Sequence, residues 1–127
     1  MAFWLLVVGV GLAAFALYLP TLHSAFVYDA EAQILINNYI HDPANFAEVV
    51  TLQVLGRDVL DFNRPVQLFS LMVDSVLWGR NPWGYHLTSN LLHALNGSLL
   101  AALILQLVRG GATSPLVRMA AAGLGAL

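Results

Sequence analysis

Two carboxylates follow the first apolar stretch of the chain closely. Asp29 and Glu31 come directly after Met1–Tyr28, a run in which His23 is the one side chain able to carry a charge near neutral pH. A carboxylate near a membrane edge can take a proton from an attacking hydroxyl as a general base. Solvated acids at the point where a helix leaves a membrane produce the same pattern, so both interpretations stay open.

A second polar group recurs at helical spacing later in the chain. His86, Asn90 and His93 are four and three residues apart, which places them on one helix face. His86 and His93 are about 10 Å apart along the axis, too far to hold one metal ion between their rings. Each imidazole alone can ligate a haem or a pigment. Hydrogen bonds to Asn90, Asn96 or a neighbouring helix are the alternative.

A cation precedes the helix that leads to this group. Arg64 is followed by Pro65, which suits a first helical turn because it has no N–H to satisfy there. The sequence predicts a helix over 65–78 that Gly79 ends. At about 21 Å it is shorter than the ~30 Å hydrocarbon core, so it should lie at the membrane surface. Asp74, on its polar stripe, is expected to face the outer water or to pair at the surface.

The composition indicates an integral membrane protein. Of 127 residues, 59% are hydrophobic and 9% are charged, and the mean hydropathy is +0.75, whereas soluble domains carry about 25% charged residues. Lysine is absent and the net charge is -2, which argues against nucleic-acid binding. Without cysteine, disulfides and thiolate metal sites are excluded. The expected partners are the lipid bilayer and other transmembrane helices.

The apolar runs divide one membrane domain, residues 1–127, into spans. We predict a first span at 2–20, a second at 86–108 and the start of a third at 113–127, so the chain is expected to be cut off. A cleaved signal peptide is the rival interpretation for the first run, although no basic residue precedes it. Small residues of the second span are predicted to pack against another helix: Ala94, Gly97, Ser98, Ala101 and Ala102.

The long segment 21–85 is predicted to be an outer loop that carries short interfacial helices. One should cover 43–55, since Asp42 can cap it with Pro43 in its first turn. The loop contains all seven acids, whereas the short segment from Arg109 to Arg118 contains two arginines and no acid. By the positive-inside rule the amino terminus is then cytoplasmic. The predicted fold class is all-α integral membrane, with two full transmembrane helices and a partial third.

The order of these pieces resembles a known family. It is similar to the amino-terminal part of the GT-C-fold membrane glycosyltransferases, most of all the protein O-mannosyltransferase-like group, whose members often carry tetratricopeptide repeats, and their bacterial relatives. The resemblance covers roughly residues 19–108. It is carried by an acid after the first span and by these pieces in order: Asn37-Asn38, Arg64-Pro65, Gly79, Asn81-Pro82, Gly84-Tyr85-His86, Asn90 and His93.

The resemblance implies a site and a substrate class. Such enzymes use a polyprenyl-phosphate sugar as donor, and an acid in the first outer loop acts as the catalytic base or orients the acceptor. The matching position here is Asp29. The family usually shows two adjacent acids, whereas Ala30 separates Asp29 from Glu31 here. The resemblance further implies that four residues lie beside the donor or brace the outer loop: Arg64, His86, Asn90 and His93.

Two functions are therefore predicted from the sequence. The first is a partial glycosyltransferase membrane domain, inactive alone, in a bacterial inner membrane with residues 21–85 periplasmic. The alternative is a small accessory or structural transmembrane subunit of a larger membrane complex that contacts pigment or haem. An absorbance band that depends on His86 or His93 would indicate the second, and sugar transfer that depends on Asp29 would indicate the first.

Overall fold

The computed structural model describes residues 2–107 together with Pro115, Met119 and Gly123. Within these residues the regular structure is helical throughout, as predicted. The α-helices are α1 (Ala2–Leu17), α2 (Phe46–Val50), α3 (Pro65–Trp78) and α4 (Pro82–Leu107). The predicted third span at 113–127 lies outside the described residues except at those three positions.

The chain forms two compact units. The first, here called the span unit, contains Met1–Thr21 and Leu87–Leu127, and the second, the loop unit, contains Leu22–His86. Ala2–His23 and Pro82–Leu107 are long and apolar enough to cross a membrane. The second of these begins at Pro82 rather than at the expected residue 86. Oδ1 of Asn81 accepts a hydrogen bond from the Trp83 N–H at 3.2 Å, which caps the helix earlier.

In the span unit, α1 and α4 pack through small residues. Ser98 Oγ donates a hydrogen bond to the Val7 carbonyl at 3.1 Å, and a Cβ built on Gly11 would lie 2.2 Å from Ser98 Oγ. Ala101 is fully buried in the same cluster as Val7 and Val10. The small-residue face of α4 therefore contacts α1 of the same chain, and close backbone approach lets a side-chain hydroxyl bond across the pair.

In the loop unit, α2 and α3 pack around a core of apolar side chains. Four short turns of helix surround them, at Glu31–Ile36, Asn38–His41, Pro43–Asn45 and Gln53–Gly56. The core is completed by residues from every part of the unit: Phe26, Ile34, Ile40, Val49, Val54, Leu68, Met72 and Tyr85. Burial of these side chains is what holds the short elements together, because helices this short are not stable alone.

The segment 43–55, expected to be one helix, is broken into pieces. Asp42 Oδ1 caps the turn that begins at Pro43 by accepting from the Ala44 N–H at 2.9 Å, as predicted. Further on, Leu52 adopts a left-handed conformation with φ 61°, which no α-helix can include. The regular helix α2 therefore ends at Val50.

Helix α3 has the expected bounds but a different buried face. Pro65 occupies its first turn, and Gly79, with φ 63°, ends it. Asp74 is only 5% exposed, so the expectation that it faces the outer water was wrong. Because α3 is apolar on most sides, its pattern did not show which side would pack, and the side that includes Asp74 and Ser75 is the buried one.

Candidate functional site

The two candidate carboxylates lie on an exposed turn. Asp29 and Glu31 are both exposed, and the turn is closed by hydrogen bonds from Ala30 N to Val27 O at 3.2 Å and from Glu31 N to Tyr28 O at 3.1 Å. Tyr28 has φ 52° and is 92% exposed. A non-glycine residue in this conformation is uncommon. Tyr28 and its neighbour Asp29 are therefore both exposed at this turn.

The segment before this turn is anchored to the start of α4. Phe26 is buried and meets Tyr85 edge to face, with ring centroids 5.4 Å apart. Nε2 of His86 lies 3.1 Å from the Ser24 carbonyl oxygen. Since a carbonyl only accepts, Nε2 carries the proton in this contact. His86 thereby holds the backbone of the segment that leads to Asp29.

In the span unit, Asn90 and His93 contact the end of the first apolar helix. Asn90 Nδ2 donates to the Tyr18 carbonyl at 2.9 Å and lies 3.4 Å from Thr21 Oγ1. The His93 ring meets Tyr18 edge to face at 4.7 Å. Its Nε2 is buried without a hydrogen-bond partner among the described residues. Because that nitrogen is buried, it is not open to a haem or a pigment in this arrangement.

Arg64 is an exposed cation at the start of α3. Its Nη1 lies 3.5 Å from Asp61 Oδ1, and its side chain is 59% exposed. A guanidinium has five N–H donors, so this single long contact leaves most of them to water or to an anion. Among the predicted substrate-binding residues, Arg64 is thus the one with free capacity to receive a phosphate.

A second arginine has a different environment. Nε of Arg57 donates to Glu48 Oε2 at 3.1 Å, and its Nη2 pairs with Oε1 of the same carboxylate. These hydrogen bonds lower the pKa of Glu48 below its ordinary value. Tyr39 OH also donates to Glu48 Oε2 at 3.2 Å, and burial together with this contact raises the pKa of Tyr39. The Glu48–Arg57 pair ties α2 to the following turn.

Sequence reasoning did not single out His41. Its Nδ1 lies 2.5 Å from Ser75 Oγ and its Nε2 lies 2.7 Å from the Ile34 carbonyl oxygen. The two partners are distant from each other in the sequence, so no local spacing could have indicated the contact. Ser75 is buried, which makes this group a structural link and not an accessible nucleophile.

The arrangement offers a base and a cation but no metal centre within the described part of the chain. No three His, Cys, Asp or Glu side chains there lie close enough together to hold a metal ion. The exposed carboxylates of Asp29 and Glu31 are able to accept a proton, and the exposed guanidinium of Arg64 is able to bind an anion.

Comparisons with known proteins show a distant similarity to two proteins named as O-mannosyl-transferases. No protein-family model and no solved structure matches the chain. It is 32% identical over 92 residues to "Protein O-mannosyl-transferase Tmtc1" of Drosophila melanogaster, which covers 68% of this chain and 11% of that protein. It is 32% identical over 93 residues to "Protein O-mannosyl-transferase Tmtc2" of the same organism, covering 68% and 10%.

The chain is thus distantly related to the O-mannosyltransferase-like group, and it spans about a tenth of the length of these curated relatives. This supports the predicted similarity to the O-mannosyltransferase-like group. The GT-C fold, the bacterial relatives and the bacterial inner membrane stay predictions, and both relatives are animal proteins.

Proposed function

We propose that this chain forms part of a membrane glycosyltransferase that transfers a sugar from a polyprenyl-phosphate donor to a hydroxyl acceptor. The observation that carries the proposal is the similarity to two proteins named as O-mannosyl-transferases. Mannose is accordingly the sugar to test first. The two helices long and apolar enough to cross a membrane agree with a lipid-linked donor.

The reaction assigns a distinct task to each exposed group. The acceptor hydroxyl attacks C1 of the sugar, the bond from C1 to the phosphate oxygen breaks, and the prenyl phosphate leaves with the electron pair. The hydroxyl proton passes to the Asp29 carboxylate, which is exposed and able to receive it. Arg64, with donors to spare, offsets the charge that grows on the departing phosphate.

Three predicted site residues on α4, His86, Asn90 and His93, act on this site indirectly, by holding the chain that leads to Asp29. His86 holds the Ser24 carbonyl, and Asn90 holds the Tyr18 carbonyl. His93 packs its ring on Tyr18. We assign these three residues the role of bracing the outer loop. In the proposed topology the loop unit lies outside the cytoplasm and the amino terminus is cytoplasmic.

Replacement of Asp29 in the longest form of the gene tests the proposal. Membranes that contain Asp29→Asn are supplied with a polyprenyl-phosphate mannose and a serine- and threonine-containing acceptor peptide. Loss of a general base lowers the rate by about 10²- to 10⁴-fold, whereas the matched variant Glu31→Gln should retain most of the transfer. Both side chains are exposed, so neither change should alter folding. Unchanged sugar transfer by Asp29→Asn would end the assignment of Asp29.

A further inference from the structure

An apolar groove opens on the surface of the loop unit between α2 and α3. Its volume is about 300 Å³, and its walls are made by six apolar residues: Val49, Val50, Leu52, Pro65, Val66 and Phe69. Phe46 meets Phe69 edge to face at 5.8 Å and joins the two helices beside it. Exposed apolar surface gathered into one concave site marks a place where another apolar body binds.

The groove continues into an exposed apolar face of α3. Val66 and Phe69 line the groove, and Val76 and Leu77 extend the same side of the helix toward its end. Val66 is 83% exposed. The opposite side of α3 contributes Leu68 and Met72 to the core of the loop unit. The exposed apolar face is therefore separate from the face that packs in the core.

Two features of the loop unit favour lipid as the occupant. Both of its ends continue into helices long and apolar enough to cross a bilayer, so the connections keep it close to the membrane surface. Arg64 precedes α3 and Arg80 follows it, and both are exposed. An apolar face about 21 Å long with an arginine at each end matches a hydrocarbon surface bordered by lipid phosphates.

We infer that this groove binds the acyl chain of a phospholipid from the adjoining leaflet, and that α3 lies in the interface with its Val66–Leu77 side toward the hydrocarbon. This inference does not rest on the proposed sugar transfer. The lining side chains offer no charge or hydrogen-bonding group, so the chain is held by apolar contact alone. The left-handed conformation of Leu52 places a leucine in the wall at a position where glycine would be the unstrained choice.

Site-directed labels test the inference directly, because the chain has no native cysteine. Val66→Cys, Ala44→Cys and Leu99→Cys, each with a nitroxide label, are reconstituted as the full chain in phosphatidylcholine and phosphatidylglycerol vesicles. Ala44 is the exposed control in the same unit, and Leu99 is the exposed reference on α4. The label at 66 should be reached by oxygen and protected from a water-soluble nickel chelate, like the label at 99 and severalfold more than the label at 44.

A second measurement separates groove binding from shallow contact. A fluorophore on Val50→Cys, in the groove wall, should be quenched severalfold more by phosphatidylcholine with brominated acyl chains than the same fluorophore at Ala44→Cys, and adding Phe69→Asp should abolish that difference. Equal quenching at both positions would overturn the inference. A label at 66 reached mainly by the chelate, or protected from both reagents because a protein covers the face, would also overturn it.

Discussion

Nδ1 of His41 lies 2.5 Å from Oγ of Ser75, a residue 34 positions further along the chain. The other ring nitrogen, Nε2, lies 2.7 Å from the Ile34 carbonyl oxygen. Because that carbonyl only accepts, Nε2 carries the ring proton in the neutral imidazole, and Nδ1 accepts from the Ser75 hydroxyl. One side chain thus links the turn Glu31–Ile36 to α3. The position of the segment after Asp29 depends on this link.

Replacement of His41 should destabilise the loop unit more than replacement of Ser75. His41→Ala leaves both the Ile34 carbonyl and the Ser75 hydroxyl without this partner, which costs about 1–3 kcal/mol. Ser75→Ala removes the contact with His41 but leaves Nε2 of His41 at the Ile34 carbonyl, and it should cost about 1 kcal/mol. Denaturant unfolding of the full chain in detergent, followed by tryptophan fluorescence, measures both values.

The matched control for the His41–Ser75 link is Ser70→Ala, which removes a hydroxyl from a half-buried position of the same helix. In the double variant of His41 and Ser75 the loss should be smaller than the sum of the two single losses, because both changes remove one shared contact. Strictly additive losses would mean that the two side chains do not interact.

Gly11 allows α1 to approach α4 closely. A Cβ at this position would lie 2.2 Å from Ser98 Oγ and 3.1 Å from the Ala94 carbonyl oxygen. Gly11→Ala should therefore push the helices apart and cost about 1–3 kcal/mol, as overpacking does. Gly9→Ala is the control on the same helix, since a Cβ there meets nothing within 4 Å. Thermal unfolding in detergent should show a lower midpoint for Gly11→Ala alone, and equal midpoints would contradict the packing.

The long elements could be predicted from the sequence because each carries a strong local signal. Pro65 and Gly79 bound α3 through their own backbone preferences, and they needed no tertiary contact to do so. The small residues of α4 similarly indicated a packing face before its partner was known. In both cases the information lies within one helix.

The loop unit was less predictable because its order comes from contacts between distant residues. Nothing near His41 indicates Ser75, and nothing near Glu48 indicates Arg57, nine residues later across a break in the helix. Leu52 adopts a left-handed conformation, which is uncommon for any residue other than glycine, so the sequence did not indicate it. Residue type and the order of the motifs single out Asp29 and Arg64, and the sugar-transfer experiment tests their roles.

Gly79 ends α3 in a conformation that other residues avoid. Its φ is 63° and its ψ is -118°, while a Cβ there would meet nothing within 4 Å. Gly79→Ala should thus cost about 1–3 kcal/mol through backbone strain alone. Gly56→Ala also places a Cβ in open space but without a positive φ, so it should be nearly neutral. Denaturant unfolding compares the two, and equal losses would mean that strain at Gly79 is not the cause.

The Glu48–Arg57 pair should make the stability of the loop unit depend on pH in the acid range. The hydrogen bonds from Arg57 hold the pKa of Glu48 below its ordinary value of 4.5. Since the folded-state pKa is the lower one, the unfolded state binds the proton more readily. The stabilisation is present above pH 4.5 and is lost as the pH falls through the folded-state pKa.

Unfolding midpoints measured from neutral pH down to acid should therefore fall more steeply for the native chain than for Glu48→Gln, and the two curves should converge at low pH. Arg57→Gln should raise the pKa of Glu48 toward its ordinary value while the Tyr39 hydroxyl contact remains. Because the pair is partly exposed, added salt should shrink the difference. A difference between the native chain and Glu48→Gln that stays constant across this pH range would show that the carboxylate does not stabilise the fold through its charge.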